Sequence, residues 1–276
     1  MISLPTRDQL LRDGFCTVNG VLDRAMLERV TEVCDRLLNA QPAEHFDAQR
    51  STGSMISVFS DPFFAELVAW PGALEAVADL GFPDPRWSSG FVISKPPHSP
   101  PLFWHQDWTG WNDDSSYQAQ PQQLFLMYYL IDTEPGNGCL RLIPGSHRKR
   151  HRLHDDVPDA HTDEIKRMMD PDHPAYQPVA DSVDVPVRAG DLVIGDSRLL
   201  HGSYGNRSDR RRTVITLWYF PAFEGLSGPL RAHLTEGRIP ESWPESACTL
   251  VAPLWPRYTG AAEPLEVNRK PGPGLT

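Results

Sequence analysis

Two kinds of hydrophobic spacing divide the chain. Before about residue 86 the apolar positions recur at helical intervals; from Trp87 to Phe220 they fall in short runs or alternate, broken by Pro, Gly, Asn and Asp. In the first part Thr6 is placed to cap a short helix that stops at Gly14. Asp23 caps a longer one whose Leu27, Val30, Cys34 and Leu37 share a face. Asp61-Pro62 supplies a cap and a first-turn proline for a helix over 63–70, and a further helix over 72–80 ends at Gly81. In the second part the pattern predicts strands at 90–95, 102–108, 124–131, 139–144, 191–195 and 212–220.

A helical flank (1–86) followed by many short strands (87–220) predicts a mainly β fold, a cupin-like jelly roll or double-stranded β-helix with helices packed outside it. The polar stretch 148–184 is too long for an ordinary connection and reads as a lid or substrate loop, with a helical middle at 162–169. Residues 1–220 form the principal domain. The Pro- and Gly-rich remainder, 221–276, reads as an irregular extension on the same domain, held by Trp243 and Trp255 and without a function of its own.

Composition narrows the function. With 276 residues, 40% hydrophobic and 22% charged, the chain can bury the core of one enlarged β domain. A net charge of −10 argues against sequence-blind attraction to nucleic acid or anionic lipid, which leaves small-molecule substrates as the default. The longest apolar run, 124–131, is far short of the roughly 18 residues of a membrane span. The first residues show no basic segment followed by an apolar stretch, so the expected location is the cytoplasm. Cys16, Cys34, Cys139 and Cys248 are too scattered for a zinc knuckle or disulfide framework. Asn206-Arg207-Ser208 matches the glycosylation pattern by chance. The oligomeric state stays open.

The candidate chemistry lies in the histidines. His-x-Asp occurs at His45/Asp47, His105/Asp107, His154/Asp156 and His161/Asp163. Three of these pairs sit in polar stretches and read as solvated loop residues. His105 and Asp107 instead fall in Leu102-Phe103-Trp104-His105-Gln106-Asp107-Trp108, where a strand would point positions i and i+2 to one side. A histidine and a carboxylate are two legs of a metal site. His201, just beyond the strand at 191–195, is the best third, because the intervening chain is long enough to return across a jelly roll. Two neutral imidazoles and one carboxylate match the facial triad of non-haem Fe(II) oxygenases, which leaves coordination positions open for a co-substrate and O2.

Arg210-Arg211-Arg212 opens the last strand. An inward guanidinium there could hold a carboxylate in a fork, as the distal carboxylate of 2-oxoglutarate requires. Alternation puts Arg210 and Arg212 on one face and Arg211 on the other. A solvated turn is the plain alternative for all three.

From about Thr6 to Phe220 these residues resemble the phytanoyl-CoA dioxygenase family of Fe(II)/2-oxoglutarate oxygenases. The likeness rests on His105-Gln106-Asp107, on the run from Asn137-Gly138-Cys139 through Pro144-Gly145-Ser146-His147-Arg148, and on Gly190-Asp191-Leu192 leading to His201-Gly202-Ser203. The resemblance implies that Arg212, at the family's offset from the second histidine, binds the distal carboxylate, and that Lys95 and Ser203 are further co-substrate contacts. His105-Gln106-Asp107-Trp108 with Trp111 is similar to the aromatic spacing of members that hydroxylate free amino acids or amino-acid-like solutes. That makes Trp108 and Trp111 candidate substrate contacts, against core packing as the competing reading. The segment 112–118 departs from those members, so their substrate does not carry over. The basic run 147–152 reads as solvated surface, with an anion-binding mouth as the alternative.

The activity implied is oxidation of a small organic metabolite, most simply its hydroxylation, coupled to conversion of 2-oxoglutarate and O2 into succinate and CO2. Since Asp107 fills the position that halide-transferring relatives leave open, the expected product is oxygenated. An acyl-CoA hydroxylase of the same family and a non-catalytic cupin-like binding protein are the alternatives.

Overall fold

The computed structural model describes residues 6–276; Met1 to Pro5, part of the stretch read for a leader, lie outside the described residues. Two antiparallel sheets face one another as a jelly roll. The larger is ordered β1 (Phe15–Val18), β8 (Leu192–Asp196), β5 (Leu124–Tyr129), β10 (Arg212–Phe220), β3 (Arg86–Lys95) and β2 (Met55–Ser57). The smaller is ordered β4 (Leu102–His105), β9 (His201–Ser203), β6 (Leu140–Leu142) and β7 (Val183–Val185).

Successive side chains of a strand point to opposite faces. On β5, Leu124, Leu126 and Tyr128 therefore face the helices, while Phe125, Met127 and Tyr129 face the smaller sheet and meet Leu140, Leu142 and Val185. Burial on both faces explains why 124–131 is an unbroken apolar run rather than an alternating one.

The helical flank forms where caps and spacing place it. Thr6 accepts from the Gln9 N–H at the start of α1 (Arg7–Asp13), which ends at Gly14 with φ 88°. Asp23 caps α2 (Arg24–Asn39). The buried stripe of α2 is Met26, Val30, Cys34 and Leu38, so the face is turned by about one residue from that expected, with Leu27 and Leu37 at its edge. A short α3 (Ala43–Ala48) follows, then α4 (Phe64–Val68) and α5 (Pro71–Asp79). No described helix is long and apolar enough to cross a membrane.

The stretch 148–184 is not a simple polar loop. It carries α6 (Leu153–Asp156) and α7 (Asp163–Arg167), and its Leu153, Val157, Ile165 and Tyr176 pack on Phe103 and Trp104 of the smaller sheet and on Leu200 just before β9. The chain beyond Pro221 is also more regular than its composition implies, with α8 (Gly228–Leu234) and α9 (Glu245–Val251). Trp243 stacks on Trp87, ring centroids 6.4 Å apart and 14° from parallel, and its indole donates to the Phe59 carbonyl. The last residues then return to the 106–111 segment, where Asn268 pairs with Gly110. Asn206 is fully buried and its amide donates to the carbonyls of Lys95, Pro96 and Arg210, so the glycosylation pattern there is inaccessible.

Candidate active site

β4 and β9 are antiparallel neighbours with His105 directly opposite His201, so both imidazoles leave the same face, ring centroids 4.2 Å apart. The strand ends at His105 instead of continuing to 108. The N–H groups of Asp107 and Trp108 both donate to the Ser197 carbonyl at 2.9 Å, and this tight turn swings the Asp107 carboxylate beside the rings. Its Oδ1 is 3.5 Å from His105 Nε2 and its Oδ2 is 3.8 Å from His201 Nε2. All three ligand atoms lie within 4.8 Å of one another.

The protonation pattern suits a cation. Nδ1 of His105 lies 3.0 Å from the Phe103 carbonyl, and Nδ1 of His201 lies 3.0 Å from that of Leu199. A carbonyl only accepts, so each Nδ1 carries the proton and each Nε2 turns its lone pair inward. Burial, reinforced by His105, pushes His201 down to about 4, which leaves it neutral at pH 7. Burial works against the Asp107 carboxylate, but the two histidines and the Trp218 indole, donating at 2.9 Å, hold it below the usual range. A carboxylate and a neutral imidazole are the forms a divalent metal binds.

Behind the triad a cavity with about 540 Å³ of empty space, its open end included, lies between the sheets. Along β10 the inward positions are Arg212, Val214, Thr216 and Trp218, and all four line it. Ile93, Leu102, Met127 and Leu140 add apolar surface to it. Arg212 is 3% exposed, yet among the described residues its only side-chain partner is Ser203 Oγ at a long 3.4 Å, and its Nε has none. Thr216 Oγ1 is likewise unpartnered. A buried guanidinium left unsatisfied is costly unless a ligand completes it. Together with the triad, this donor set fits a metal chelated by a dicarboxylate whose far end reaches Arg212. Gly138 adopts φ 90°, and a Cβ there would stand 3.5 Å from Arg212 Nε and 3.2 Å from the Tyr204 carbonyl, so the Asn137-Gly138-Cys139 motif needs its glycine.

Other residues singled out in the sequence stand elsewhere. Lys95 faces Arg212 across β3 and β10 but does not line the cavity; its ammonium is drawn to the Ser51 carbonyl at 2.6 Å. Burial, with Arg212 and Arg141 adding to it, pushes that ammonium well below its ordinary range. Trp108 and Trp111 are core residues rather than substrate contacts, 1% and 2% exposed and packed with Phe220, Leu230 and Leu275. Their indole N–H groups are satisfied internally, by Ser116 Oγ and Gln106 Oε1, so burial costs them nothing polar. Arg211 points outward to Asn39 and Asp35, and Arg210 is exposed. The basic run 147–152 lies apart from the cavity: His147 is buried against Leu11, and Arg150 pairs with Asp155 at 2.5 Å and with carbonyls of the C-terminal tail.

Two residues at the site carry no signal in the sequence. His161, read there as a solvated loop residue, lines the cavity with φ 65°, its ring 5.8 Å from that of His105 and its Nδ1 unpartnered. His154, of the same reading, is also buried. Arg269, in the tail to which no function was assigned, lines the cleft that opens beside Asp107. Neither placement follows from local pattern, because both depend on long-range packing.

The geometry agrees with what the chain resembles. A family model described as phytanoyl-CoA dioxygenase matches residues 10–214. The ectoine dioxygenase of Stutzerimonas stutzeri (strain A1501) is 29% identical over 134 residues, covering 46% of this chain and 44% of that protein. Phytanoyl-CoA dioxygenase 1 of Oryza sativa subsp. japonica is 29% identical over 161 residues, covering 57% of this chain and 52% of that one. These matches span about half the length of the curated relatives. Among solved structures, the non-haem, alpha-ketoglutarate-dependent carbocyclase SnoK from nogalamycin biosynthesis superposes with a TM-score of 0.58 at 26% identity, over 77% of this chain and 81% of that one. The family model covers most of the chain, and the chain belongs to the phytanoyl-CoA dioxygenase family.

Proposed function

We propose that the protein is an Fe(II)- and 2-oxoglutarate-dependent oxygenase that hydroxylates, or otherwise oxidises, a small organic metabolite and releases succinate and CO2. The observation that carries this reading is a single cavity holding both His105, Asp107 and His201 and an unsatisfied, buried Arg212. His105, Asp107 and His201 would hold the metal on one face. Bound Fe(II) with 2-oxoglutarate supplies the activation of O2 and the oxidising equivalents.

The chain's own residues do the rest. Arg212 forks the distal carboxylate of 2-oxoglutarate, with Ser203 beside it, and the apolar wall from Met127, Leu140 and Val214 keeps water from the methylene chain between. Trp218 fixes the orientation of Asp107 through its indole N–H. A small substrate suits the site, since the basic run that would attract the phosphates of an acyl-CoA lies outside the cavity.

The test is succinate formation from 2-oxoglutarate under air, with added Fe(II), across a panel of free amino acids, small secondary metabolites and acyl-CoA thioesters. The expected result is iron- and oxygen-dependent succinate, raised by a small metabolite and absent in His105→Ala, Asp107→Ala and His201→Ala. Full activity in any one of these variants removes that residue from the triad, and succinate raised only by the thioesters reverses the substrate class.

A further inference from the structure

The cleft beside Asp107 contains a cation that, among the described residues, has no ion-pair partner. Its walls include Phe91, Trp218, His161, Lys166 and Arg269. Lys166 is already paired, its ammonium 2.7 Å from Asp163. Arg269 is only half-buried, and among the described residues its guanidinium makes no hydrogen bond and has no carboxylate within ion-pair distance. What sets Arg269 apart from the other basic residues is its place, in the lining of the cleft that also contains Asp107.

Its backbone, by contrast, is fixed. The Arg269 carbonyl accepts from Gln106 Nε2 at 2.8 Å, the Asn268 N–H donates to the Thr109 carbonyl at 2.8 Å, and the Trp111 N–H donates to the Asn268 carbonyl at 3.2 Å. These bonds tie the tail to the very segment that carries Asp107, so the root of the Arg269 side chain is anchored close to the triad. A guanidinium without a partner, on an anchored backbone, is free to fork a planar oxyanion that enters the cleft.

Resting on the oxygenase reading above, we propose that Arg269 recognises a carboxylate of the substrate and anchors it so that the aliphatic or aromatic body lies along Phe91 and Trp218 toward the triad. The substrate class is then a small carboxylic acid, free amino acids included, and the C-terminal tail is part of the specificity apparatus.

The experiment pairs a panel of free amino acids and small aliphatic and aromatic carboxylic acids with their primary amides. Binding is measured without oxygen by saturation-transfer NMR and calorimetry on the Fe(II)- and 2-oxoglutarate-loaded protein. The expected result is that at least one carboxylate binds and exceeds its amide by tenfold or more. Arg269→Gln should abolish that ratio, and Arg269→Lys, which keeps the charge without the fork, should restore part of it. A merely structural role for Arg269 would weaken acid and amide alike. Equal binding of acids and amides, no binding by any acid in the panel, or an unchanged ratio in Arg269→Gln overturns the proposal. Succinate formation measured on the same preparation separates the two failures: if it is absent the oxygenase reading fails, and if it is present without carboxylate preference only the role of Arg269 does.

Discussion

At the scale of single residues, the site depends on groups that never touch a metal. The carbonyls of Phe103 and Leu199 select the histidine tautomers, and the Trp218 indole holds one carboxylate oxygen of Asp107 at 2.9 Å. Removing such a supporting hydrogen bond typically costs 10–100-fold in metal affinity or activity. Trp218→Phe keeps the ring and loses the donor, so Fe(II) affinity measured by anaerobic titration should fall within that range while the melting temperature changes little. Unchanged metal affinity would mean that Asp107 is oriented by its backbone alone. Residue chemistry was readable in part: His105, Asp107 and His201 stand out because a strand and a return strand can bring them together. The tryptophans were not, since an aromatic pattern is the same whether an indole finds its partner in Ser116 or faces a substrate.

At the scale of elements, one buried ion pair organises the turn that the site is built on. Arg198 and Asp196, both about 1% exposed, pair at 2.5 Å, and Arg198 also donates to the carbonyls of Ser116, Gln118 and Gln120. The same turn offers the Ser197 carbonyl that receives the Asp107 N–H. Breaking a buried pair by removing one partner leaves an uncompensated charge and costs about 3–5 kcal/mol. Arg198→Ala should lower the denaturation free energy by that amount, read as a shift in the urea midpoint with an unchanged slope. A shift below about 1 kcal/mol would show the pair to be dispensable. Elements differed in legibility for a physical reason. The strand at 212–220 is long enough for alternation to show and has the bounds expected. The strands His201–Ser203 and Val183–Val185 are three residues each, too short for any period, and exist because their neighbours supply the ladder.

At the scale of the whole molecule, stability should depend on pH through histidines buried as neutral rings. His154 is 4% exposed; burial, with His151 beside it, pushes it down to about 4 from an ordinary 6.5. Arg150 also lowers it and Asp155 raises it, while the His151 N–H, donating to Nδ1 at 3.0 Å, favours the neutral ring. Above pH 6.5 the ring is neutral folded or unfolded and has no effect. As pH falls from 6.5 toward 4 the unfolded chain takes up a proton that the folded one refuses, so stability declines, by about 2 kcal/mol between pH 7 and pH 5. His154→Asn, which keeps an acceptor for the His151 N–H, should shrink the difference between urea midpoints at those two pH values. An unchanged difference would place the acid sensitivity in other groups. The jelly roll itself was evident from the shift in hydrophobic period near residue 86, whereas the return of the tail to Gly110 was not, because nothing local in 264–276 encodes its partner.

The central claim is that one cavity binds Fe(II) on His105, Asp107 and His201 and 2-oxoglutarate at Arg212. Anaerobic calorimetry tests it most directly. The account predicts one Fe(II) per chain, then one 2-oxoglutarate that binds only with metal present, with no metal bound by any of the three alanine variants. Arg212→Lys should weaken 2-oxoglutarate by roughly 1.5–3 kcal/mol, the range for hydrogen bonds to charged groups, while Arg211→Lys is silent. Tight 2-oxoglutarate binding by metal-free protein, or full affinity for it in Arg212→Lys, would contradict the account.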